Sequence, residues 1–346
     1  MVAVEPGAAP ARDCIAVSRD IKLLQAPAGG SVIGQHCHDR SLPPLLTCLL
    51  CSVPKYFRDD AWFDSAGKVH GAANISLSIV SVLLLLSGTP SAQAATIFQQ
   101  NFDASPLGTY TAARVEADWK GATPYSAYRN NPTGTIIEGS LAHSGRSLRI
   151  FYAKGSYSSS GAGWPMSLGS TYKELYASYW VMFQPSFAWV NGGKLPGLCG
   201  GACNSGGDVP TGFDGWSARH MWGSEGSLVE YVYHVGQPGQ YGHNIGFTDT
   251  TLVPGRWYRI DQHIVMNTPG QSNGVLQGWI DGRLAVDINN FRFTETNALG
   301  IDIFDFSTFF GGGDSSYAAE KDEYIYFDDF IVSTTPIGSS GDESLD

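Results

Sequence analysis

The chain has 346 residues, room for one large domain or two smaller ones. Charged residues make up only 15%, against 42 glycines and 12% aromatics, a balance that fits an extracellular all-β protein and argues against a helical one. The net charge of −11 excludes a general nucleic-acid binder, which needs a basic face. That charge is uneven: residues 1–95 hold 7 Lys+Arg and 7 Asp+Glu, whereas residues 96–346 hold 14 and 25. A site for an acidic ligand in the second region must therefore be a local basic island.

In chain order, the first notable element is Ile75 to Leu86, 12 mainly apolar residues. Lys68 and His70 precede it, and Ala92-Gln93-Ala94 follows. This is the layout of a secretory signal, and it is too short for a membrane-spanning helix, which needs roughly 20 apolar residues. Residues 68–95 read as that signal-like segment, so an extracellular, secreted protein without a stable membrane span is expected. Residues 1–67 read as a misassembled or disordered leader; the alternative is a genuine extension with a signal-anchor. Cys14, Cys37, Cys48 and Cys51 lie in this region. Cys48-x-x-Cys51 is half of a zinc site, with Cys37, His36 and His38 a loose second half, and no metal is expected. Asn74-Ile-Ser76 is the one Asn-x-Ser/Thr sequence, and it lies inside the signal.

From Thr96 the pattern is strand after strand. Thr96 to Phe102, Ser147 to Tyr152, the aromatic-rich Leu175 to Phe183, Leu228 to His234 and the alternating Trp257 to Met266 are predicted strands. Val275 to Ile280 and Arg283 to Ile288 flank Asp281-Gly282, a strong hairpin signal. Tyr324 to Val332 closes the set, and no long amphipathic helix is apparent. Residues 96–335 are predicted to form one all-β domain, a two-sheet antiparallel β-sandwich of jelly-roll type. Residues 336–346 read as a polar tail, frayed from Gly338.

Within this domain, Asn191-Gly-Gly-Lys194-Leu-Pro-Gly197 places a lysine on what reads as a glycine-rich turn. Ser217-Ala-Arg219 and Tyr231-Val-Tyr233 each put two polar side chains on one face of a strand. If those strands are neighbours, an ammonium, a guanidinium, a hydroxyl and two phenols converge. β-Elimination of a uronic acid polymer needs such a set. A cation must hold the carboxylate and stabilise the charge that develops, a base must remove the C5 proton, and an acid must protonate O4. Lys194 and Arg219 suit the first task. Tyr231 or Tyr233 suits the others if nearby cations lower its pKa. Each residue also has a plain alternative: a solvated lysine, the polar face of an exposed strand, core or rim tyrosines. His220, His234, His243 and His263 are other candidate bases, with His263 the best placed. Asp302, Asp305, Asp328 and Asp329 could suggest a glycosidase pair, but their spacing fits strand ends or solvent contacts better. Cys199 and Cys203 on the same loop fit a small disulfide, with unpaired thiols the alternative.

At these residues the chain resembles polysaccharide lyase family 14. The resemblance rests on Gly192-Gly-Lys-Leu-Pro-Gly-Leu198 with Gly200-Gly201, Trp216-Ser-Ala-Arg219 and Glu230-Tyr-Val-Tyr233, supported by Phe309-Phe-Gly-Gly-Gly-Asp-Ser-Ser-Tyr317 and Tyr326-Phe-Asp-Asp-Phe330. It spans about residues 96–335. It implies a jelly-roll lyase for alginate or glucuronan that needs no metal or organic cofactor, with Lys194, Ser217, Arg219, Tyr231 and Tyr233 as its functional set. Cys199 departs from the family, where a tyrosine follows Gly-Leu; its companion Cys203 supports a lineage-specific disulfide. The expected partner is an acidic polysaccharide, with polymannuronate ahead of glucuronan, and the expected state is a monomer. A non-catalytic lectin-like jelly roll is the rival, and it would have no need of a base.

Overall fold

The computed structural model describes residues 62–63, 69–70, 95–125, 135–158 and 160–338. The apolar run Ile75 to Leu86 of the signal-like segment, the first four cysteines, Asn74-Ile-Ser76 and the tail beyond Gly338 lie outside the described residues. The chain divides into two compact units, Met1–Gly88 and Thr89–Asp346. In the first, strand β1 (Trp62–Phe63) pairs antiparallel with β2 (Val69–His70).

The second unit is the predicted sandwich of two antiparallel sheets. One has six strands in the order β12 (His243–Gly246), β11 (Leu228–Tyr233), β10 (Gly215–Gly223), β9 (Gly192–Gly201), β16 (Ile301–Phe310) and β7 (Ala162–Tyr172). The other has nine. Its main path runs β15 (Arg283–Phe291), β14 (Gly274–Ile280), β13 (Trp257–Val265), β8 (Glu174–Phe183), β17 (Glu323–Ser333), β6 (Ser147–Tyr152), β5 (Thr135–Glu138) and β4 (Gly108–Thr109). Its ninth strand, β3 (Thr96–Gln100), pairs with β17.

Alternation sets which side chains meet between the sheets. Along β13, Tyr258, Ile260 and Ile264 enter the core while Arg259, Asp261 and His263 face away. Asp281 and Gly282 both take positive φ, as the tight turn between β14 and β15 requires. A short helix, α1 (Ala112–Asp118), is capped by Thr111, whose hydroxyl accepts from the Arg114 amide. Its task is to deliver Trp119. That indole lies fully buried among Phe98, Trp164, Phe306 and Phe330, with ring centroids 4.9, 5.4, 5.5 and 5.1 Å away. Its N–H donates to Tyr110 Oη at 3.0 Å, so the polar edge is satisfied.

Trp119→Ala should therefore cost about 3–5 kcal/mol, the range for emptying a large aromatic site. Chemical denaturation would measure it, and a loss below 1 kcal/mol would mean that the helix and its indole are peripheral to the core.

Candidate active site

The turn expected around Lys194 is instead a central strand, β9. Its glycines let neighbouring strands pack tightly on both sides, where larger residues would hold them apart. Pro196 has no N–H to give the ladder, and both neighbours slip around it. The register of β10 shifts between Arg219 and Met221, and that of β16 between Asp305 and Phe309. Alternation along β9 shifts with them: Leu195 and Leu198, three apart, are both fully buried in the core. Gly197 then pairs with Arg219 on one side and with Asp305 on the other. A Cβ at Gly197 would come within 2.2 Å of the Ala218 carbonyl oxygen, so the strands close here only on glycine.

The bulge is held from beneath. The Pro196 carbonyl accepts from His220 Nδ1 at 2.8 Å and from Tyr179 Oη at 3.4 Å. His220 Nε2 lies 3.1 Å from Glu230, and Glu230 in turn accepts from Gln262 of the opposite sheet at 2.8 Å. Gln262 also accepts from Leu198 N and donates to Ala218 O. Burial alone would lower the His220 pKa, but Glu230, the Pro196 carbonyl and Asp261 together outweigh it and the pKa is raised.

On the face of the six-stranded sheet turned away from the core, adjacent strands bring together all five residues singled out by sequence. Across β10 and β11, Arg219 stands opposite Tyr231 and Ser217 opposite Tyr233. The Lys194 ammonium lies 3.3 Å from the centre of the Tyr231 ring and 2.6 Å from Met221 Sδ. Burial, with Arg219 second, pushes the Lys194 pKa well below its ordinary value. The phenols are 3.4 Å apart, oxygen to oxygen. Tyr231 Oη accepts from Gly242 N at 3.1 Å and Tyr233 Oη from Gly207 N at 2.9 Å. The expectation of an acidified phenol fails for Tyr231. Burial and the Tyr233 hydroxyl raise its pKa, and Arg219 lowers it by less. The ammonium sits over the ring face and not at the oxygen.

The structure separates the two tyrosines and demotes the serine as a groove contact. Tyr231 is 8% exposed, while Tyr233 and Ser217 have no exposure at all. Ser217 Oγ donates to Asn204 O at 2.7 Å, which anchors the loop after β9.

Asp305 is a site residue that the sequence reading assigned to strand ends or solvent. It lies buried in β16 with one carboxylate oxygen 3.5 Å from Arg219 NH1, and the other accepts from Tyr125 Oη at 2.8 Å. Core-facing Phe304 and Phe306 on either side were the available signal. The expected basic island is thus partly neutralised. Burial raises the Asp305 pKa and Arg219 opposes that rise. The buried Nε of Arg219 has no hydrogen-bond partner among the described residues.

Residues 141–330 match the family described as polysaccharide lyase 14. The chain belongs to that family. This family 14 chain is also similar to solved alginate lyases. One is Aly36B, at 27% identity over 68% of this chain and 95% of that one, TM-score 0.61. A second is the marine PL-14 alginate lyase from Aplysia kurodai, at 28% identity over 70% and 100%, TM-score 0.60. An Aly36B double mutant, with a lysine and a tyrosine changed to alanine, is solved in complex with alginate tetrasaccharide. The alginate lyase vAL-1 from Chlorella virus shares the fold at 24% identity over 58% and 89%, TM-score 0.50. No curated protein sequence matches.

The other candidate bases of this family 14 chain lie away from the Lys194–Tyr231 contact. His263, the preferred histidine, faces away from the core on the nine-stranded sheet, stacked on Tyr176 and bonded to Glu174 and Gln277. His220 lies under the bulge. His234 Nδ1 bonds the Val235 carbonyl, and His243 begins β12 beside it. Asp302 accepts from Gly201 N, while Asp328 and Asp329 lie on β17 near His143. The Cys199–Cys203 disulfide is present, with 5.2 Å between Cα atoms. It closes the start of the loop that carries Asn204 and Gly207.

Replacing both cysteines by serine should lower stability by about 2 kcal/mol, the entropy expected for so short a ring. The thermal midpoint would fall accordingly. An unchanged midpoint would mean that the Asn204 and Gly207 hydrogen bonds hold the loop alone.

Proposed function

We propose that this protein is a secreted, monomeric lyase that cleaves a β-1,4-linked polyuronate by β-elimination, with polymannuronate the first substrate and glucuronan the second. The observation that carries the reading is Lys194. Its desolvated amine lies against Tyr231, directly across from an arginine with an unpaired N–H. Membership of a polysaccharide lyase family and the alginate-bound relative support the substrate class.

The chemistry divides by the direction of each shift. Arg219 would take the uronate carboxylate through Nε and a terminal nitrogen, and its charge would stabilise the enolate-like state. Lys194, with its pKa lowered, has a neutral amine available to remove the C5 proton. The C5–H electron pair becomes the C4=C5 double bond, the C4–O4 bond breaks, and its electrons go to O4. Tyr231, with its pKa raised, keeps its proton and can donate it to O4. Tyr233 receives the Gly207 amide and holds the Tyr231 hydroxyl in place, and Ser217 fixes the covering loop. This moves the base from tyrosine to lysine.

Activity should be followed as absorbance of the unsaturated product on polymannuronate, polyguluronate and glucuronan. Lys194→Ala and Tyr231→Phe should each lose more than about a hundredfold in turnover, in line with general acid–base magnitudes. Lys194→Arg supplies a permanent cation but cannot serve as a base at neutral pH, and it should fail as badly as alanine. If Lys194→Arg retains activity, lysine acts only as a cation and the base lies elsewhere.

A pH profile checks the same assignment. Lys194 works when deprotonated, so kcat/KM should rise with pH through a Lys194 pKa lying below the usual lysine value. An acid limb that remains in Tyr231→Phe and disappears in Lys194 variants with residual turnover supports it. A limb that persists in the Lys194 variants assigns that titration to another group.

A further inference from the structure

We infer that Tyr241 forms a sugar-stacking subsite at the β11–β12 rim of the groove, which takes a pyranose ring of the polymer on the Tyr231 side of the cleavage point. The inference rests on the lyase reading of that groove. Tyr241 is 59% exposed and lies in the loop between β11 and β12. A lone exposed tyrosine is ordinary on a protein surface. This one is placed by the same contacts that place the paired phenols of Tyr231 and Tyr233. The next residue, Gly242, donates its amide to Tyr231 Oη. The Tyr241 ring edge borders Gly207, whose amide donates to Tyr233 Oη; a Cβ on Gly207 would lie 3.3 Å from Tyr241 Cε1.

The loop is also fixed against movement. Gln237 reaches the carbonyls of Gly239, Gln240 and Tyr241 with its side-chain amide, while its oxygen accepts from His234 N. Gly242 cannot carry a side chain, since a Cβ would lie 2.9 Å from both phenol rings. A large aromatic face is thus held out to solvent on a backbone with little freedom left to lose, the arrangement that makes binding cheap in entropy. A tyrosine ring offers an apolar face to the C–H face of a sugar and a hydroxyl to its edge. The carboxylate-bearing ring held by Arg219 and the ring over Tyr241 would be successive stations along a groove running across the strands. From β11 to β7 that path is roughly 19 Å at ~4.8 Å per strand.

The test is Tyr241→Ala beside Tyr241→Phe and Tyr241→Trp, on polymannuronate and on mannuronate oligomers of increasing length. Loss of stacking should raise KM roughly three- to tenfold for long substrates, the range of one aromatic contact. The effect should shrink on the shortest cleavable oligomer, with Phe and Trp restoring the long-substrate KM. A uniform loss at all lengths, or a fall in kcat alone, would overturn the subsite. If the wild-type protein turns over none of these polymers, the lyase assignment fails by itself. Calorimetric binding of the same oligomers to wild type and Tyr241→Ala then decides the subsite: weaker binding by the variant upholds it and equal or absent binding removes it.

Discussion

A proline in the middle of a buried strand removes one hydrogen bond from the sheet, and the groove is built around that loss. Because Pro196 cannot pair, β10 and β16 both slip beside it, and Gly197 becomes the point on which Arg219 and Asp305 close. The same step sends the Pro196 carbonyl into the core, where it must find donors. His220 and Tyr179 supply them, His220 needs Glu230, and Glu230 needs Gln262. One missing N–H therefore accounts for a polar chain between two otherwise apolar sheets. That chain fixes the strand bearing Lys194 from below, and the groove side is left for chemistry.

The electrostatics of the groove follow from desolvation more than from accumulated charge. Burial, with the neighbouring guanidinium second, lowers the Lys194 pKa. Tyr231 keeps its proton because it is buried against a second phenol. Burial pushes the two pKa values in opposite directions, since the charged form is the protonated one in lysine and the deprotonated one in tyrosine. Arg219 is shared with Asp305, so a polyanion is met by directed N–H groups and not by a surplus of positive charge. This suits a domain whose overall charge is strongly negative.

Alternation of core-facing and outward side chains was legible in the sequence for β6 and β13, and Asp281-Gly282 marked the turn between β14 and β15. β9 was not, since glycine, proline and lysine there resemble a turn, and its glycines matter through the neighbours they admit. β7 alternates over Trp164, Met166 and Leu168 but carries Pro165 and a positive-φ Gly169, and β16 mixes apolar residues with Asp302, Asp305, Ser307 and Thr308, so neither was read as a strand. The convergence of Lys194, Ser217, Arg219, Tyr231 and Tyr233 could be read because residues two apart on neighbouring strands share a face. The direction of the Tyr231 shift could not. It depends on whether the ammonium meets the ring or the oxygen, and on how deep the phenol lies, neither of which spacing encodes. Asp305 was visible to alternation but was passed over for want of a strand to place it on.

The small ring closed by Cys199 and Cys203 has one more consequence. It ties the cover over Tyr233 to the end of the strand that carries Lys194, so the two cannot breathe independently. Opening the cover pulls on β9, and fraying of β9 loosens the cover. Heat should then melt the cluster of Lys194, Tyr231 and Tyr233 and that part of the sheet in a single cooperative step, with no stage in which a detached flap leaves the rest intact.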